Sequence, residues 1–88
     1  MPEISRFYGI IIYMFYEDHA PPHFHVKYNE HEAVISLEDF AVTQGKLPAK
    51  AIGLVMEWAT MHHDELNENW KTLSEIDNKS FKKIEPLK

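Results

Sequence analysis

Apolar and aromatic residues run almost unbroken from Tyr8 to Tyr16, YGIIIYMFY. The run is too short for an ordinary helix and rich in the β-branched and aromatic types that suit a buried strand, so it predicts the central strand of a sheet. Pro2 to Arg6 ahead of it is a short lead-in, suited to an edge strand. From His23 to Tyr28 the pattern becomes strict alternation. Phe24, Val26 and Tyr28 share one face and His23, His25 and Lys27 the other, as a half-buried strand requires. Asn29-Glu30 makes a two-residue turn, and Glu32 to Glu38 returns with Ala33, Ile35 and Leu37 on one face.

The register across that turn follows from side-chain chemistry. Joining Tyr28 to His31 sets Val26 opposite Ala33 and Phe24 opposite Ile35 on the core face. It sets Lys27 opposite Glu32, His25 opposite Val34 and His23 opposite Ser36 on the other. Two apolar pairs and one opposite-charge pair agree, and a one-residue slip would turn every side chain to the wrong face. Across the loop Glu17–Pro22, where Pro-Pro blocks a helix, the same construction pairs Tyr16 with His23 and Met14 with His25. An all-apolar strand specifies that second register less firmly.

Glu38-Asp39-Phe40 is a turn, Ala41 to Gln44 one more short strand, and Gly45 its end. Pro48 then opens a helix. At 100° per residue Ile52, Val55, Ala59, Leu66, Trp70 and Leu73 form one apolar stripe, with His63 among them and His62 on its shoulder. The run continues to about Ile76, roughly 40 Å at a rise of about 1.5 Å per residue, with a bend expected near Asn67-Glu68-Asn69. A second apolar line, Ala51, Leu54, Trp58 and Met61, lies well off the first. Either the tail SFKKIEPL folds back over it, or Leu54, Trp58 and Met61 form a surface for a partner or a second copy of the chain. The expected fold is α+β, a single domain over residues 1–88: an antiparallel sheet of three to five strands with one long C-terminal helix packed on one face.

Charge narrows the partners. Residues 1–44 carry seven acids against Arg6 and Lys27, a net of −5, while residues 45–88 balance at seven of each sign. Only the tail (Lys79, Lys82, Lys83, Lys88) clusters positive charge, which argues against broad DNA binding. There are no cysteines, so disulfides and thiolate ligands are excluded and a reducing compartment is suited. MPEISRFYG lacks the pattern of a signal peptide, and no apolar run approaches the roughly 18–20 residues that span a bilayer. A cytoplasmic protein without a membrane segment is expected.

The chemistry gathers in YEDHAPPHFHVKY, Tyr16 to Tyr28, which holds three of the six histidines. His-x-His on a strand places both imidazoles on one face. Asp18 or His19 from the adjoining loop can complete a ligand set, so Asp18, His19, His23 and His25 are candidates for a Zn-like divalent metal. The same histidines can instead supply a base and an acid near neutral pH without metal, with Tyr16 donating a hydrogen bond and Arg6 steadying a phosphate, as small ribonucleases work. RNA or another phosphodiester is then the substrate, although the acidic sheet half weighs against RNA. In the structural alternative the histidines anchor the loop. His62-His63 is best read as a core feature with satisfied hydrogen bonds.

The opening PEISRFYGIIIYMFYEDHAPPHFHVKY, then EAVISLED, GKLP, the helix ending ELNENW, and KKIEPL resemble a family of small bacterial proteins of unknown function. Asp18, His19, Pro21, Pro22, His23, Phe24 and His25 match its pattern position by position. Phe40 departs from it, standing where a turn glycine is expected. The resemblance implies a component of a toxin–antitoxin-type gene pair that binds a small cognate protein. It brings no catalytic residues with it. An interaction module using the helix and an enzyme using the His23/His25 face both stay open.

Overall fold

The computed structural model describes residues 2–75 and 80–88, so the expected helix end at Ile76 lies outside the described residues. Five antiparallel strands follow one another in chain order across one sheet: β1 (Glu3–Phe7), β2 (Ile10–Tyr13), β3 (His23–Tyr28), β4 (His31–Ser36) and β5 (Val42–Gly45). Two helices follow, α1 (Ala49–Met61) and α2 (His63–Ser74). No helix among the described residues is long and apolar enough to cross a membrane.

The middle of the sheet is β3, not the Tyr8–Tyr16 stretch. Tyr8 and Gly9 both have positive φ, 48° and 81°, as a type I′ hairpin turn requires, and Phe7 pairs with Ile10 across it. The apolar run is therefore cut at its start by a turn, and β1 takes the edge. The β3–β4 register is the expected one throughout, from His23 opposite Ser36 to Tyr28 opposite His31. The β2–β3 register differs by one residue from expectation: Tyr13, not Met14, faces His25. Ile10 and Ile12 must meet the core together with Tyr28 and Val26, which sends Met14 inward, 1% exposed, and turns Tyr13 toward the histidine face.

The long helix is broken at His62, φ −120° and ψ 27°, rather than bent near Asn67. The His62 N–H donates to both Trp58 and Ala59 carbonyls, and Leu66 N–H picks up the His62 carbonyl, so the ladder continues across the break. Both apolar lines are buried within α1 itself, Val55 and Ala59 of the first and Ala51 and Trp58 of the second. Trp58 is fully buried, against the rings of Phe7 (5.3 Å) and Phe24 (6.3 Å). His63 Nε2–H donates to the Leu37 carbonyl (2.8 Å) with Phe40 against its ring, so its hydrogen bond is satisfied as expected, although the residue is half-buried at the core's edge rather than within it.

The tail covers the second line around Trp58 and leaves Met61 at its end exposed. Ile84 and Leu87 are buried, Ile84 N–H donates to the Ile4 carbonyl (2.9 Å), and Trp58 Nε1–H donates to the Glu85 carbonyl (2.8 Å). Asn69, 3% exposed, clamps the tail by donating to the Lys82 carbonyl (2.6 Å) and accepting from its N–H (2.9 Å). Removing both bonds leaves part-buried backbone groups of Lys82 without these partners, so Asn69→Ala is expected to cost about 1–3 kcal/mol in urea melts.

Phe40 adopts φ 58°, the left-handed conformation a glycine takes freely. The strain of about 1–2 kcal/mol is offset by packing of its ring on His63, 5.0 Å away.

Candidate metal centre

Alternation along β3 places His23 and His25 on the face opposite Phe24 and Val26, with ring centres 5.2 Å apart. The entry loop brings Asp18 back over them. It is held at both ends, by Glu17 N–H to the Leu73 carbonyl (2.8 Å) and by Leu37 N–H to the Pro22 carbonyl (3.0 Å). Asp18 Oδ2 then lies 2.8 Å from His23 Nε2 and 3.3 Å from His25 Nε2. One donor atom from each of the three residues falls within 4.8 Å of the others. All three side chains are 16–17% exposed, sheltered but reachable.

Each group is oriented by a neighbour. His23 Nδ1 sits 2.7 Å from the Pro21 carbonyl, and Trp70 of α2 packs on its ring at 5.0 Å. Tyr13 stacks on His25 (5.1 Å, 16°) and Phe15 meets its edge (4.7 Å). The Tyr13 hydroxyl reaches Glu32 at 3.5 Å, and burial, then the Glu32 carboxylate, raise its pKa. The second Asp18 oxygen accepts the His19 N–H at 2.8 Å. Burial pushes the Asp18 carboxyl up, but that N–H together with His25 and His23 outweighs it and holds the group below its usual range.

His19 thus contributes its backbone; the residue is exposed, lines the cleft, and is outside the group of three donors. Tyr16, 38% exposed, is not among the residues lining the cleft that the histidines share. Arg6 is bound to Glu3 (2.7 Å) on the edge strand and does not line it either. Of the surface expected on the helix, Trp58 is in the core, Leu54 is half-buried, and Met61 is 66% exposed. Tyr13 and Trp70 were not expected beside the histidines. Tyr13 was hidden by the undetermined β2 register, and Trp70 by its place on the core stripe.

Asp18, His23 and His25 form one wall of a cleft of about 450 Å³ closed by Val34, Ser36, Thr43 and Gln44. Ser36 could be read from the sequence, since it pairs with His23 across the β3–β4 register.

A family model described as Domain of unknown function (DUF4160) matches residues 9–71. The chain belongs to this family. The DUF4160 match takes in the loop, β2 to β5, α1 and most of α2, and therefore the whole Asp18–His23–His25 group and its cleft. No curated protein and no solved structure matches the chain.

Proposed function

We propose that this protein is a divalent-metal-binding domain whose ligands are Nε2 of His23, Nε2 of His25 and a carboxylate oxygen of Asp18. The observation that carries the reading is the pair of contacts made by His23. Only an N–H can face the Pro21 carbonyl at 2.7 Å, so Nδ1 carries a proton, and Nε2 meets a carboxylate oxygen 2.8 Å away either through a second N–H or through a lone pair that shares a cation with it. Two electron-rich atoms at that distance need a positive charge between them. A ligating histidine whose other nitrogen donates to a carbonyl has this arrangement, and the carbonyl sets both tautomer and ring orientation. Metal–ligand bonds of about 2.0–2.2 Å place neighbouring donors roughly 3.0–3.5 Å apart. The His25–Asp18 edge already has that length, and the His23–Asp18 edge needs only a small side-chain rotation. Two nitrogens and an oxygen without thiolate suit zinc or another divalent first-row ion.

A proton between His23 and Asp18 is the second reading, favoured by the hydrogen-bond length of the 2.8 Å contact. His23 and His25 would then work as a metal-free acid–base pair. Among the described residues no Lys or Arg lines the cleft, which weighs against RNA as its substrate. A small cognate protein and a toxin–antitoxin role rest on the family resemblance, with Leu54 and Met61 left as the surface on α1.

Metal analysis and calorimetry on protein purified without a histidine tag separate the two. Wild type should take up one equivalent of Zn(II) or Co(II), and at a free concentration near 100 times Kd the ion should add about 2.7 kcal/mol of stability. Asp18→Asn and His25→Ala should weaken uptake at least tenfold. His25→Ala should also cost the metal-free protein about 1–2 kcal/mol, because the ring is sheltered and bonded rather than solvent-facing. No uptake by wild type, or equal uptake by Asp18→Asn, would refute the metal reading and leave the acid–base pair.

A further inference from the structure

We infer that the metal in this centre keeps open coordination positions and takes from the cleft a small oxygen ligand of single negative charge, a bidentate carboxylate or hydroxamate. The inference rests on the metal reading above.

The three donors come from one side, β3 and its entry loop, and are themselves one wall of the cleft. Three donors leave at least one position of a tetrahedron unfilled, and three of an octahedron. Apart from His19, the rest of the cleft lining, from the Pro21-Pro22 loop to Val34, Ser36, Thr43 and Gln44, holds no ligand of the type the set uses, so those positions are left to a ligand from the cleft. The volume of about 450 Å³ is that of a small-molecule site.

Charge selects the ligand class. A divalent ion with one carboxylate and two neutral imidazoles has a net charge of +1. Among the described residues the cleft lining adds no Lys, Arg or Glu to Asp18 and the histidines. One negative charge on the ligand therefore balances the centre, while a second would be sheltered from water without a partner. Ser36 supplies a donor. Its Oγ accepts the Glu38 N–H (3.1 Å), leaving its own O–H free to turn to a ligand oxygen. The Thr43 hydroxyl is committed to the Val34 carbonyl (3.3 Å), so Thr43 contributes shape alone.

His19 is the group that could close the centre, because it is an exposed histidine in the cleft lining. The experiment therefore compares wild type, Thr43→Trp and His19→Ala, each untagged and loaded with Co(II), by visible absorption during titration with acetohydroxamate and, separately, with inorganic phosphate. Acetohydroxamate should shift the Co(II) bands of wild type and of His19→Ala alike, and more readily than phosphate. Thr43→Trp, which fills the cleft from an exposed position on β5, should bind Co(II) as wild type does and acetohydroxamate at least tenfold more weakly. Bands that stay unchanged with acetohydroxamate, or a His19→Ala spectrum that shows a lost ligand, would mean a closed four-ligand centre and overturn the inference while leaving the metal reading intact. Equal acetohydroxamate binding by Thr43→Trp would overturn the cleft as its route. No Co(II) uptake at all removes the metal reading, and this inference with it.

Discussion

Trp58→Ala is expected to cost about 3–5 kcal/mol, the range for removing a fully buried large aromatic side chain. The indole is 0% exposed, touches the rings of Phe7 and Phe24, and holds the tail through its bond to the Glu85 carbonyl. A domain of this size has a total stability of only about 5–15 kcal/mol, so the variant should lose a large share of it. Each kcal/mol shifts Tm by about 4–8 °C in a domain of 60–100 residues, which puts the expected fall above ~12 °C. Trp58→Phe isolates the polar part: the ring contacts largely stay, the Glu85 carbonyl loses its donor, and about 1–2 kcal/mol is expected. Met61→Ala on the same predicted line should change stability by no more than about 0.5 kcal/mol, since Met61 is 66% exposed. Thermal melts with light scattering check all three. A small shift for Trp58→Ala together with a loss of self-association would place the indole at an interface and contradict the tail-covered core.

That contrast shows what could be read from the chain and what could not. The periodicity of α1 identified a second apolar line, but a one-dimensional pattern does not say whether the chain's own tail or another molecule covers it. Ile84 and Leu87 are isolated apolar residues in a lysine-rich segment, too sparse to announce an element. The β3–β4 register was legible because alternation and the Lys27/Glu32 pair make every slip unfavourable. The β2–β3 register was not, because β2 is apolar on both faces and a slip leaves its own pattern unchanged. The turn at Tyr8-Gly9 was concealed for a similar reason: a tyrosine in the left-handed region is an uncommon choice for a type I′ turn, and its aromatic ring extends the apolar run. The approach of Asp18 to both histidines followed from a short loop and a known face, and needed neither of the features that were misplaced.

The left-handed positions also determine how the cleft is closed, and Gly45 gives the sharpest test. It has φ 76°, and a Cβ built on it would run into the carbonyl oxygen of Glu32 and press on the Ala33 backbone. Both obstacles are main chain of the neighbouring strand, so no side-chain rotation can relieve them. Gly45→Ala must therefore push β5 away from β4, adding lost pairing to about 1–2 kcal/mol of left-handed strain. The expected total is about 3 kcal/mol. Because Thr43 and Gln44 on the same strand form the far wall of the cleft, displacement of β5 should also widen the site beside Asp18, His23 and His25. Gly53 supplies a control of opposite sign. It lies exposed in the interior of α1 with nothing within 4 Å of a built Cβ, so Gly53→Ala should stabilise the protein by about 0.5–1 kcal/mol. Urea melts of the two variants read both effects, and amide exchange along β5 reports the displacement directly. A Gly45→Ala protein as stable as wild type, with β5 still protected, would show that the strand does not need the close approach.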